Sequence, residues 1–277
     1  MRSSIFILDG KGAWKSSIEE AASRAGISVT RNPENCFGFI RTSPQPEKLK
    51  EHQRFYHEHK IDWIQDAAQV DVYEDKVEQT RRWAHWMPET WLCETKEGAF
   101  KAIEQIQYPF ISKSREGSSS RNVFKIDNRE QAVDLINIVF DGGIPVYDAV
   151  QKDYVIFQKF VPHDITYRVN AIGKGRAIFF RKNYPDSWMA QTGNVEPAFE
   201  LDEECESLLE YSDRVFENIG TQWCALDILK DDGKWKLLET SLAWPWPSPG
   251  RCNEGTIFRT KRKWIEMFDA MFDSLED

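Results

Sequence analysis

Two carboxylates stand near the far ends of an apolar ribbon in the segment Cys224-Ala-Leu-Asp227-Ile-Leu-Lys-Asp-Asp-Gly-Lys-Trp-Lys-Leu-Leu-Glu239-Thr-Ser241. A core strand seldom carries an acid alone, because an unpaired buried charge is strongly penalised or gives up its ionisation. Apolar runs on both sides of a polar turn read as a β-hairpin. With a three-residue loop at Asp232-Gly233-Lys234, Asp231 faces Trp235 and Asp227 lies opposite Glu239. Directly opposed residues share a sheet face, so the acids would converge with Ser241 beside them. A two-residue turn would instead pair Asp227 with Leu238 and scatter the acids. The spacing therefore predicts the longer loop wherever the acids act together. Converged oxygen ligands suit a hard cation such as Mg2+. The competing reading is an acid pair facing solvent.

A divalent cation of that kind implies an anionic ligand, and one earlier segment is built to hold one. In Ile111-Ser-Lys113-Ser-Arg-Glu-Gly117-Ser118-Ser119-Ser120-Arg-Asn-Val123, a lysine closes a strand and small residues follow. Glycine and serine let backbone N–H groups approach phosphate oxygens, the serines add hydroxyl donors, and Lys113 adds a point charge. The segment lacks the Gly-x4-Gly-Lys-Ser/Thr pattern of a P-loop, and a strand follows it in place of a helix. An ordinary flexible connection is the alternative.

Around these segments the order of elements is mixed. Ser4–Leu8 reads as a strand, 16–25 as a helix ended by Gly26, and 27–30 and 37–41 as further strands, which make a small α/β unit. The stretch 47–60 is helical in pattern, as is 73–86. Extended segments are expected at 87–92, 110–113, 123–126 and 154–160, and helices at 98–106 and 129–140. The latter helix puts Ala132, Leu135, Ile136 and Val139 on one face. Strands 165–172 and 177–181 form a hairpin, 203–219 is a long helix, and 256–275 a closing one. An α+β architecture with antiparallel sheets fits this order better than a doubly wound parallel sheet.

Composition narrows the function. The 277 residues include 11 Trp and 17 Phe, enough apolar bulk for real cores. A net charge of -9 argues against binding a nucleic-acid backbone, which needs a basic face. The five cysteines are scattered and odd in number, as reduced intracellular thiols are. No apolar run approaches the ~18 residues of a membrane span, so a cytoplasmic protein is expected.

Four segments, taken in order, resemble the ATP-grasp superfamily of carboxylate–amine ligases, above all its glutathione-synthetase and RimK-like branch. They are Glu74-Asp75-Lys76-Val77, then Tyr108-Pro-Phe-Ile-Ser-Lys113 with the Gly/Ser loop after it, then Val155-Ile-Phe-Gln158-Lys159-Phe160-Val161, and last Asp227 to Glu239 to Ser241. The resemblance implies two α+β lobes clasping ATP over 73–277, a lid at about 100–161, and a small preceding α/β domain over 1–72. It implies that Lys76 binds the nucleotide and that Lys113, Gly117 and Ser118 to Ser120 meet its phosphates. By the same likeness Gln158, Lys159, Phe160 and Val161 meet the adenine, and Asp164 the ribose. Asp227, Glu239 and Ser241 would hold Mg2+, although Ser241 stands where the family's signature usually has asparagine. Arg168 and Arg181 match the family's arginines after the adenine strand, with Arg181 expected at an acyl phosphate.

The reaction implied is ATP-dependent joining of a small carboxylate to an amine of an amino acid, peptide or metabolite through an acyl-phosphate intermediate. A phosphotransferase on the same scaffold, or a nucleotide-binding protein without catalysis, are the alternatives. The loop at 183–193 carries Met189 where the RimK-like branch has an arginine, so no particular substrate is carried over.

Overall fold

The computed structural model describes residues 4–8, 12–32, 38–41, 58, 75–115, 122–146, 149–172, 177–183, 188, 194–197, 203–219 and 223–241. The Gly/Ser loop, the expected helices at 47–60 and 256–275, and the proline-rich stretch 242–249 lie outside them.

Near the N-terminus, β1 (Ser4–Leu8) runs parallel to both β2 (Ser28–Thr30) and β3 (Gly38–Arg41), giving the order β2-β1-β3. Helix α1 (Gly12–Arg24) supplies the right kind of crossover, and its Ile18, Ala21 and Ala22 are buried.

A second unit is a four-stranded antiparallel sheet in the order β4-β9-β5-β6, from Thr90–Cys93, Val155–Lys159, Phe110–Lys113 and Val123–Ile126. Two helices cover one face, α3 (Lys96–Ile103) and α4 (Arg129–Asn137). Each begins on a side-chain cap: Thr95 accepts from Gly98 N–H and Asn128 from Gln131 N–H, both at 3.0 Å. The expected stripe Ala132, Leu135, Ile136 and Val139 is buried, and it packs with Phe110 and Phe157, whose rings meet edge to face at 4.9 Å.

Helix α4 ends in a π-turn over Ile138–Gly142, and Gly143 then reverses the chain at φ +84°. A Cβ at Gly143 would fall 2.4 Å from Val150 Cγ1, so only glycine fits there. The turn leads into a small hairpin, β7 (Ile144–Val146) and β8 (Ala149–Gln151), which sequence periodicity misses. Its strands are three residues long and one contains Pro145, a residue that usually argues against a strand.

The third unit is a five-stranded antiparallel sheet, β12-β11-β10-β13-β14, from Asn194–Pro197, Ala177–Asn183, Ile165–Ile172, Trp223–Asp231 and Lys234–Ser241. Helix α5 (Glu203–Ile219) packs on one face through Leu208, Tyr211, Val215, Phe216 and Ile219. Tyr167, Val169, Leu226, Ile228 and Leu237 meet it from the strands. Alternation then puts Arg168, Asn170, Ala225 and Asp227 on the opposite face. That division positions everything discussed below.

Among the described strands β14 is an outer one, and Gln79 of helix α2 (Lys76–Trp83) bonds its free side. Gln79 Nε2 donates to Thr240 O at 3.2 Å, while Gln79 Oε1 accepts from Thr240 N at 3.0 Å. Gln79 is 1% exposed, so it replaces the missing strand's hydrogen bonds at that residue. Gln79→Ala should leave two buried backbone groups unpaired. The expected loss is about 2–4 kcal/mol of stability, read by urea unfolding. A change below ~0.5 kcal/mol would show that water takes the amide's place.

Candidate functional site

The hairpin forms, but by a different route from the expected three-residue loop. Asp231 pairs with Lys234, so the turn has two residues, Asp232 at φ 49° and Gly233 at φ 75°. Positive φ at both positions is the turn geometry that matches strand twist, and Asp-Gly is one of its preferred pairs. The register continues through Ile228 opposite Leu237 and then shifts, so that Asp227 lies opposite Glu239. Leu238 is the extra residue of a β-bulge. The acids therefore do share a face, and the irregular ladder achieves what a longer loop would have done.

The bulge has a second effect. Lys113, at the end of β5 in the other sheet, donates from Nζ to Leu238 O at 3.3 Å. Lys76, in the first turn of α2, stands 3.4 Å from Glu239 Oε2. Across the ribbon, Arg168 Nη1 donates to Asp227 Oδ2 at 2.7 Å. Two half-buried acids thus face three basic side chains, of which Lys76 is 9% exposed and Arg168 is 8% exposed. The cluster is net positive, which suits a polyanion arriving with its own charge.

Helix α2 is held at this place by its N-cap. Asp75 accepts from Val77 N–H at 2.8 Å and meets Arg115 Nε at 3.1 Å, while Lys76 N–H donates to Arg115 O at 2.9 Å. The turn after β5 and the start of α2 therefore move as one piece. Burial pushes the Asp75 carboxyl above its usual range, with Arg115 pulling the other way.

Burial lowers Lys113 to about 8, and Lys76 adds to the decrease while Glu239 and Asp227 oppose it. A folded lysine near 8 releases its proton before an unfolded one near 10.5 does. Between those values the unfolded chain binds more protons, so this group's contribution to stability rises with pH across that window. A bound polyphosphate reverses the balance by favouring the ammonium. Binding of a polyphosphate at this lysine near pH 8 would therefore take up a proton and weaken as pH rises further. Calorimetric titration in two buffers of different ionisation heat checks this; equal heats would mean that Lys113 is already fully charged.

The remaining expected residues are distributed as follows. Lys159 reaches the hairpin tip, donating from Nζ to Asp231 Oδ1 at 2.7 Å and Oδ2 at 2.9 Å, and its backbone N–H is taken by Glu89 O at 2.8 Å. Gln158 is paired within the sheet on both sides, and its amide donates to Thr90 Oγ1 at 3.0 Å. Of the segment 158–161, only Phe160 and Val161 continue past β9, and Val161 O lies 2.6 Å from His163 Nδ1. Asp164 is exposed, one residue before β10. Ser241 lies opposite Ala225, two residues along from Glu239 on the acids' face.

The two arginines separate. Arg168 is in register with Phe180 and Asp227, but Arg181 is in register with Tyr167, which belongs to the core against α5. Arg181 therefore stands in the row of Tyr167 and Ile228, and not in the row of Arg168 and Asp227. Gly117 and Ser118 to Ser120 lie outside the described residues. Two buried polar residues near the site escape sequence reading, Gln79 and Asn170. A buried glutamine in a helix gives no local signal, whereas Asn170 falls on the site face by simple alternation from Arg168.

Among the described residues no three His, Cys, Asp or Glu side chains gather as a metal cluster. The donor set that fits Mg2+ is the pair Asp227 and Glu239 with the Ser241 hydroxyl, all hard oxygens. One or two carboxylates plus phosphate oxygens is the usual composition of such a site. No helix among the described residues is long and apolar enough to cross a membrane. Cys93, Cys205 and Cys224 are buried free thiols.

No protein-family model matches the sequence. No curated protein matches it either. Solved structures do. An ATP-grasp RimK-domain protein of Sphaerobacter thermophilus matches with a TM-score of 0.66 at 14% identity, over 99% of this chain and 100% of its own. The ADP complex of an N5-carboxyaminoimidazole ribonucleotide synthetase matches at 0.65 and 13%, over 98% and 77%. The D-alanine–D-alanine ligase of Bacillus anthracis, complexed with ATP, matches at 0.63 and 11%, over 100% and 96%. At such identities the likeness is one of architecture, and it agrees with the two antiparallel sheets that bring Lys113 to the bulge beside Glu239: this chain has the ATP-grasp fold.

Proposed function

We propose that this protein is an ATP- and Mg2+-dependent ligase that activates a small carboxylate as an acyl phosphate and joins it to an amine. The observation that carries the reading is the meeting of Lys113, from one sheet, with Glu239 and Asp227 of the other, around the Leu238 bulge. The ligases among the structural relatives support the reaction class.

In this reading ATP lies between the sheets, with Lys76 and Lys113 on its phosphates and the segment around Phe160 and Val161 beside its base. Asp227, Glu239 and Ser241 would hold Mg2+, which supplies charge neutralisation at the β- and γ-phosphates when bound. Lys76, buried, and Lys113, half-buried, orient the triphosphate and offset its charge with reduced competition from water. The substrate carboxylate attacks the γ-phosphorus, the bond to the β-phosphate oxygen breaks, and ADP leaves. Amine attack on the acyl carbon then passes through an oxyanion, which Arg168 would stabilise; the nitrogen gives a proton to solvent and phosphate departs. Residues of about 100–161, carrying Lys113 and the Gly/Ser loop with Gly117 to Ser120, act as the lid that excludes water.

Hydroxylamine supplied with ATP and a panel of carboxylic acids should trap a hydroxamate. Phosphate transfer to an alcohol, with no hydroxamate from any acid, would make the protein a phosphotransferase instead.

A further inference from the structure

Lys76 and Lys113 come from different elements, yet Lys76 stands close enough to oppose the charge on Lys113. Two ammonium groups repel, so their spacing has to be set by something other than the side chains themselves. One residue joins the two places. Arg115 lies two positions beyond Lys113, and the chain between them is pinned: buried Ser114 donates its N–H to Asn122 O at 3.2 Å. Arg115 N–H then donates to Gln151 Oε1 at 3.2 Å. Gln151 is buried too, and its own amide donates to Tyr154 O at 3.1 Å.

From that fixed point Arg115 reaches α2 twice. Its carbonyl oxygen accepts from Lys76 N–H at 2.9 Å, and its Nε stands 3.1 Å from Asp75 Oδ2. The second contact is an ion pair out of line for a hydrogen bond, since the buried Nε has no hydrogen-bond partner. The guanidinium also lies over the Tyr154 ring, 5.2 Å from its centroid. Asp75 thus divides its carboxylate, with Oδ1 capping the helix at Val77 N–H and Oδ2 beside Arg115. Three residues further on, Gln79 fastens the same helix to Thr240. Lys76 therefore sits between two attachments. The one at Gln79 sets its place beside Glu239, and the one at Arg115 sets its place beside Lys113. An ion pair whose arginine is 43% exposed adds little to folding stability, so its value lies in what it holds.

We propose that Arg115, paired with Asp75, is a positioning residue that holds Lys76 at the distance from Lys113 at which both lysines grip one polyphosphate. The inference rests on the ligase reading above. Arg115 acts in it through Lys76, and a receptor set in advance loses less freedom when its ligand arrives.

The test measures binding of a non-hydrolysable ATP analogue and of AMP, with Mg2+ present, to the full chain and its Arg115→Met and Asp75→Asn variants. Asparagine still caps a helix, so Asp75→Asn removes the charge facing Arg115 and leaves α2 in place. Either variant should weaken the analogue by about 10-fold, and AMP, whose single phosphate cannot span two lysines, by less than about twofold. The two substitutions together should do no more than either alone. In a Lys76→Met background, Arg115→Met should change the analogue's affinity by less than about twofold, because the side chain it places is gone. Equal weakening of both nucleotides, an undiminished effect in the Lys76→Met background, or variants that bind the analogue as the wild type does each overturns the assignment. Should Arg115→Met fail to fold, Asp75→Asn decides alone by the ratio of its two affinities. A wild type that binds no analogue would remove the ligase reading itself, and this inference with it.

Discussion

Lys113→Met should abolish ADP formation while leaving the protein folded. The substitution keeps the length of the side chain and removes its charge. Burial already works against the ammonium, pulling Lys113 down to about 8, so a neutral side chain relieves a cost in the unliganded protein. Stability should change by less than ~1 kcal/mol, because the single bond lost, to Leu238 O at 3.3 Å, is long. Nucleotide affinity should fall by about 2–5 kcal/mol, the usual loss when one member of a buried charge pair is truncated. Equilibrium binding of a fluorescent ATP analogue and circular dichroism, measured together, separate the two effects. Turnover at the wild-type rate would take Lys113 out of the site.

Glu239→Gln should be nearly as damaging through a different property. The amide keeps the shape of the carboxylate but cannot supply an anionic oxygen to a divalent ion. Loss of an outer partner of a metal ligand typically costs 10–100-fold, and loss of the ligand itself should exceed about 100-fold in Mg2+-dependent ADP release. Raising Mg2+ should restore part of the rate, whereas raising ATP alone should not. Lys76 loses its ion pair in this variant, so part of the effect belongs to that side chain. Lys76→Met measured beside it apportions the two. Full activity of Glu239→Gln at low Mg2+ would show that the ribbon does not hold the metal.

Strands and helices with a strong period were legible in the sequence. Phe110–Lys113, Val123–Ile126 and Glu203–Ile219 fall where alternation and helical spacing put them. The buried stripe of α4 follows from the same spacing. The convergence of the two acids was legible, and its construction less so. That Asp227 and Glu239 converge follows from their separation, but a regular ladder requires a longer turn than Asp232-Gly233 provides. Bulges leave little trace in a sequence, since Leu238 is as suited to a regular strand as to an irregular one.

Arg181 shows the opposite difficulty. Its type and approximate position resembled those of a catalytic arginine, yet one residue of register decides between the two faces of a sheet. The register gives that face to Arg168. Gln79 was invisible for a further reason. Its partner Thr240 is 161 residues away, and hydrogen bonds between distant segments have no local pattern.

The grip of Gln79 on Thr240 also bears on the protein's behaviour in solution. Unsatisfied backbone groups along an outer strand are a template on which a second chain can add itself, the first step towards swapped dimers or fibrils. Among the described residues the Gln79 amide guards Thr240 and Lys113 guards Leu238, so whatever draws α2 away from the ribbon uncovers part of that rim. In the ligase reading proposed above, a nucleotide held by Lys76 would also protect the protein from self-association.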